Sequence, residues 1–175
     1  MIVPLVEDRK NTLLIRFNER WIADLGQDQE KTLATVQHAL ARGIEAVFQL
    51  EEGEILVEPT PSRKNRKALL FYEAAEGGAG ALGQLISEPE SISKVAKKAL
   101  EIMHFDPSSF ASAAADITKL GEQKHVDCVA GCYRCVLSYF NQPDHENIDR
   151  RNRDAQQILL RLAYSATTEA QTSSE

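Results

Sequence analysis

The sequence predicts an α+β domain: a small antiparallel sheet of two hairpins, packed with four to five helices and finished by a C-terminal zinc loop. Three observations predict it. Short apolar runs rich in β-branched residues pair across polar turns, and longer stretches repeat apolar residues every three to four positions. All three cysteines of the 175-residue chain, Cys128, Cys132 and Cys135, fall within eight residues. The domain is expected to span 1–164, with the cysteine loop at 121–146 and a disordered small-polar tail at 165–175.

Residues 2–7 and 12–17 read as two strands joined by a polar turn, and Pro4 confines the first to an edge or an irregular start. From about 30 to 50, Leu33, Val36, Leu40, Ile44, Val47 and Phe48 share one helix face, with Asp28 as its cap. Gly43 weakens the interior of that helix but permits close packing. His38 lies off the apolar face and reads as solvated. Residues 54–59 and 67–73 form the second hairpin, and Arg63, Lys64, Arg66 and Lys67 make a basic, solvated spot between them.

A glycine-rich turn follows, with Glu73 and Glu76 beside Gly77, Gly78 and Gly80. A strand, such a turn and a helix can cradle an anion, but no Gly-Lys-Ser/Thr ending is present and the glutamates repel phosphate. The glycines are therefore read as serving a tight turn and close helix packing. A helix runs from Pro89 to about His104 and a shorter Ala-rich one from about 109 to 120. A last helix runs from about 146 to 164, with Arg150, Arg151 and Arg153 in its first turns.

The cysteine spacing points to one structural Zn2+. A Cys-x2-Cys turn places two thiolates on one side of a tight loop, where a tetrahedral ion holds both. Three thiolates outweigh the charge of the ion, so a neutral imidazole is the better fourth ligand. His145 is the first candidate, because Pro143 and Asp144 can turn the chain back; His125 is the second. Four protein ligands leave no position for water, so no catalysis is expected at the metal. Losing the ion is expected to unfold the loop, which is too polar to fold by apolar burial alone.

A net charge of −6 argues against nucleic-acid binding by the overall field and leaves room only for a local contact. Arg134, Arg150, Arg151 and Arg153 are the candidates, able to meet phosphates or to pair with Glu146, Asp149 and Asp154. The first residues meet Glu7 and Asp8 too early for a secretory signal, and no apolar run suits a membrane span. With clustered, unexported cysteines, the expected location is the cytoplasm.

Taken together, residues 6–11, 69–80 and 131–145 resemble the C-terminal zinc-binding domain of helicase-associated proteins. They look most like DrmB of DISARM anti-phage systems and more distantly like MrfA-type DNA-repair helicases. The resemblance runs from about Ile2 to Ala163. In the MrfA-type version four cysteines hold the metal; Cys128, Cys132 and Cys135 match three of them, and the fourth falls near Asn141. The resemblance implies a fragment or detached version of a longer protein, with a helicase subunit or domain as partner and DNA near the zinc loop. No helicase motor motif is present. The expected function is a non-catalytic zinc-binding accessory domain in nucleic-acid processing, in anti-phage defence. The rivals are a metal-dependent nuclease or hydrolase using Glu73, Glu76 or His104 with Asp106, and a pure protein-interaction module.

Overall fold

The computed structural model describes residues 9–24, 28–75 and 77–169. The expected strand at 2–7, the loop around Gly26, Glu76 and the end of the tail lie outside the described residues. In chain order the elements are β1 (Thr12–Arg16), α1 (Glu19–Asp24), α2 (Gln29–Val47), β2 (Ile55–Ser62), β3 (Asn65–Glu73), α3 (Ala81–Ser87), α4 (Ser91–Ile102), α5 (Phe110–Ala115) and α6 (Arg153–Ala163). Short 3-10 segments cover Pro107–Ser109, Ile117–Lys119 and Tyr139–Asn147. The class is α+β as expected, with a three-stranded antiparallel sheet in the order β1-β3-β2. The β2–β3 hairpin forms as expected. β1 lies on the other side of β3, with Leu14 opposite Leu70.

Alternation along β3 turns Leu69 and Phe71 inward, where both are fully buried under α2. From α2 the apolar positions Leu33, Val36, Leu40 and Ile44 enter the core. α4 contributes Val95, Ala96, Ala99 and Leu100, and α6 contributes Ala155, Ile158, Leu159 and Ala163. α4 packs on both α2 and α6. Gly43 is what lets α2 and α4 approach. A Cβ there would sit 2.6 Å from the Val95 carbonyl oxygen and 3.2 Å from the Ala99 Cβ.

Several local expectations need correction. Asp28 occupies the N-cap position of α2, but its side chain makes no capping hydrogen bond. The Ala-rich helix is broken into α5 and a 3-10 turn at Asp116, which caps Thr118 instead of continuing the helix. α6 begins only at Arg153, because Asn152 accepts from the Ala155 N–H and closes its N-terminus. Near the end of the described residues, the Thr167 N–H donates to the Pro89 carbonyl.

The largest correction concerns polar residues. His38 is buried, not solvated, and its Nε2 lies 2.9 Å from Asp144 Oδ2. Arg66 is also buried, not part of a solvated spot; its Nη2 donates to the same oxygen at 2.8 Å and its Nη1 to Gln37 Oε1 at 2.7 Å. Arg63 donates to Asp144 Oδ1 at 2.7 Å. Burial pushes the Asp144 carboxyl up, but His38 and Arg66 outweigh it and hold it well below the usual carboxylate range. Burial likewise lowers His38, and its bond to Asp144 does not offset this. With two guanidiniums already on one carboxylate, an imidazolium would add an uncompensated charge. His38 is therefore neutral and donates from Nε2.

Two outcomes follow from this packing. Gly43→Ala gains about 1 kcal/mol of helix propensity but drives a methyl into a backbone carbonyl, an overpacking that costs about 1–3 kcal/mol. Urea denaturation of the zinc-loaded protein should show net destabilisation; an unchanged midpoint would mean that α2 and α4 separate freely. For His38, the unfolded imidazole takes a proton near the ordinary 6.5 while the folded one stays neutral to lower pH. Below that pH the unfolded state binds more protons, so stability falls as pH falls. His38→Gln, which keeps the donor but cannot titrate, should flatten the pH dependence of the melting temperature between about pH 7 and 5. Equal slopes in the two proteins would place the proton elsewhere.

Candidate metal centre

The end of α4 is the starting point. Met103 closes the helix, His104 follows with φ 68°, and Phe105 donates its N–H to the Leu100 carbonyl while His104 donates to Glu101. These are the paired bonds of a Schellman cap, whose left-handed position normally holds glycine. A histidine there carries backbone strain, and such strain clusters at sites with a task. Phe105 then bridges antiparallel to Glu122, with Asp106 N–H donating to Gly121 O and Gln123 N–H to His104 O. This short ladder brings the segment that leads into the cysteine loop alongside His104.

Within the loop the Cys135 N–H donates to the Cys132 carbonyl, and the Cys132 N–H points at Cys135 Sγ, 3.1 Å away. The turn thus folds around its own sulfurs. Cys132 Sγ lies 3.5 Å from Cys135 Sγ, Cys128 Sγ lies 3.7 Å from Cys135 Sγ, and His104 Nε2 lies 3.3 Å from Cys132 Sγ. All four donor atoms fall within 4.8 Å of one another. A zinc tetrahedron with bonds of about 2.3 Å to sulfur and 2.0–2.1 Å to nitrogen has edges of roughly 3.5–3.8 Å. The donor set fits in type, number and spacing, and His104, Cys128, Cys132 and Cys135 are positioned to hold one zinc ion.

The electrostatics point the same way. Burial and the neighbouring sulfurs push the Cys128 thiol up to about 12. Burial also pushes Cys132 up, but His104, Cys135 and the Arg134 N–H outweigh it and bring that thiol down to about 6. Three sulfurs this close cannot all ionise by themselves, whereas a divalent cation stabilises all three thiolates together.

The fourth position therefore falls to His104, not to His145 or His125. His145 Nε2 donates to Asn141 Oδ1 at 2.8 Å and to the Ser138 carbonyl at 3.1 Å. The turn at Pro143 does not aim it at sulfur because Asp144 is drawn into the ion network with Arg66, Arg63 and His38. Asn141 is buried, accepts from Ser138 N–H and donates to the Val136 carbonyl, so it too stands outside the donor group. His125 is exposed with φ 59°, on a cleft beside His104 and Cys128.

The arginines divide. Arg150 is 1 % exposed and is not a surface contact. Its Nε donates to the Cys128 carbonyl at 3.1 Å, its Nη2 to Glu122 at 2.8 Å, and its guanidinium lies 5.3 Å from the Phe105 ring centre. It fastens the cysteine loop to the ladder that follows α4. Arg151 is exposed and pairs with Asp149 at 3.3 Å. Arg134 and Arg153 are exposed without an ion-pair partner among the described residues.

The glycine-rich turn cradles an anion of its own. Glu73 is buried, and its carboxylate accepts from the N–H groups of Gly80 and Leu82 and from Asn11 Nδ2, each at 3.1 Å. Burial raises this carboxyl, but those hydrogen bonds outweigh it and hold it below its ordinary value. Gly77, Gly78 and Gly80 all have positive φ, and a Cβ at Gly78 would fall on the Glu73 carboxylate. Asp106, the other proposed acid, caps Ser108 N–H at 2.9 Å. Glu73 and Asp106 thus have local structural partners, and His104 belongs to the sulfur group.

A family model described as the MrfA Zn-binding domain matches residues 36–136, more than half of the chain. Neither a curated protein nor a solved structure matches it. Among the described residues no helix is long and apolar enough to cross a membrane.

Purified wild-type protein should carry one zinc per chain. His104→Ala should weaken zinc binding by more than the roughly 10–100-fold that losing a neighbour of a ligand costs, whereas His145→Ala and His125→Ala should leave stoichiometry intact. Chelator competition distinguishes them, and loss of zinc from His145→Ala alone would reinstate that residue.

Proposed function

The chain belongs to the MrfA Zn-binding domain family, and on that premise we propose that it is a non-catalytic accessory module supporting nucleic-acid processing by docking onto a helicase. The observation that carries this reading is the completeness of the donor set: three sulfurs and one imidazole from the chain itself satisfy a tetrahedral ion and leave no open position for a water. The metal's task on this reading is to shape a loop. The resemblance to DrmB supports reading it as a module of a DISARM-like anti-phage system, and Arg134, exposed beside the metal with no ion-pair partner among the described residues, would supply a cation for DNA close to the loop.

The test is joint. Cys132→Ser and Cys135→Ser should each lose zinc and, with it, co-elution of the purified protein with the helicase of its own system. Association that survives complete loss of zinc would remove the accessory role from the zinc loop. DNA cleavage by the purified protein that disappears in Glu73→Gln with zinc retained would establish the nuclease reading instead.

A further inference from the structure

The cysteine loop and the segment after it expose aromatic side chains. Tyr133, Tyr139 and Phe140 are 62, 74 and 57 % exposed, and the Tyr139 and Phe140 rings meet edge to face with centres 5.9 Å apart. Single exposed rings are ordinary, but neighbouring ones make a contiguous apolar surface of the kind a partner can cover. Beside this ridge lies a cavity of about 130 Å³ between α2, the edge strand β2 and the 138–144 segment. The Tyr72 and Phe140 rings stand in its wall.

Its charges are unevenly satisfied. The two cations in the wall are already engaged, Arg42 on Glu45 and Glu52 and Arg63 on Asp144. Glu58, also in the wall, is exposed and has no ion-pair partner among the described residues. Lys10 lies 5.9 Å from the Tyr72 ring centre and donates to the Ala74 carbonyl. The Phe140 ring closes on Gly53, where a Cβ would come within 2.6 Å of it. That contact sets the ridge against a turn bearing Glu51, Glu52 and Glu54. An aromatic, acid-rimmed pocket of this size suits a planar guanidinium, which stacks on rings and pairs with carboxylates at once. Phosphates would meet the same carboxylates as like charges.

We propose that this pocket and the Tyr139–Phe140 ridge form a docking site for a partner polypeptide, the pocket receiving an arginine side chain and the ridge a neighbouring aliphatic one. This rests on the accessory-module reading and names the chemistry that the partner presents.

The probe is N-acetyl-leucyl-arginyl-leucine amide, titrated into zinc-loaded, 15N-labelled protein, with its citrulline counterpart and an oligothymidylate as comparisons. The arginine peptide should move the amides of Gly53, Glu58, Tyr72 and Phe140 saturably. The citrulline peptide, Glu58→Gln and Phe140→Ala should each weaken that response about fivefold or more, with the variants' spectra otherwise dispersed as in the wild type. An equal response to citrulline, the absence of saturable shifts, or movement of the same amides by the oligothymidylate overturns the docking site. If those failures occur while Cys132→Ser still severs helicase association, the accessory role stands and only this surface is wrong.

Discussion

Three sulfurs and an imidazole drawn to within 4.8 Å of one another set the terms for everything at this end of the molecule. Without a cation the arrangement works against itself, with one thiol brought down to about 6 and its neighbour driven up to about 12. A divalent ion turns that mutual repulsion into a common attraction. The surrounding chain is arranged to deliver the donors: a helix ends on a left-handed histidine, an isolated antiparallel bridge brings the segment at Glu122 alongside it, and the buried Arg150 ties the Cys128 carbonyl to that bridge.

A second anchor explains why the loop faces as it does. Asp144, gripped by Arg66, Arg63 and His38, binds the segment after the cysteines to α2 and the β2–β3 hairpin. Removing Asp144 would leave the buried Arg66 guanidinium without its counter-charge, a cost of about 3–5 kcal/mol. His145, one residue further, is thereby committed to Asn141 and Ser138 and meets the Tyr133 ring in a T-shaped contact. The metal fixes the inner side of the loop, and the Asp144 network fixes the direction in which its outer side points.

The legible features were those written locally. Spacing alone exposes the cysteine turn, three-four periodicity exposes α2 and α4, and the polar link between apolar runs exposes the β2–β3 hairpin. The hidden features all depend on partners far away in the chain. His104 meets a cysteine 28 positions later and His38 meets an aspartate 106 positions later, separations that no periodic reading spans. Periodicity placed His38 on a polar face, which was correct for the helix and uninformative about what covered it. The one local signal for His104 was negative: the helix stops at Met103-His-Phe-Asp-Pro with no glycine to take the left-handed position. Histidine tolerates that conformation better than most residues but does so at a cost, and the cost makes sense once the imidazole has a metal to reach.

The placement of the aromatic residues argues for why this loop uses a metal at all. Burying a large apolar side chain fully stabilises by about 1.5–3 kcal/mol, so three rings that leave 62, 74 and 57 % of their surface exposed forgo roughly 3–6 kcal/mol of stabilisation. That is a large fraction of the stability of a typical domain, about 5–15 kcal/mol. A loop held by its own apolar burial would pull those rings inward and lose the surface. Zinc in small modules contributes roughly 10–16 kcal/mol in apparent terms, enough to hold the backbone in place while its largest side chains stay exposed. The ion's contribution to function, on this account, is to release Tyr133, Tyr139 and Phe140 from duty in the core.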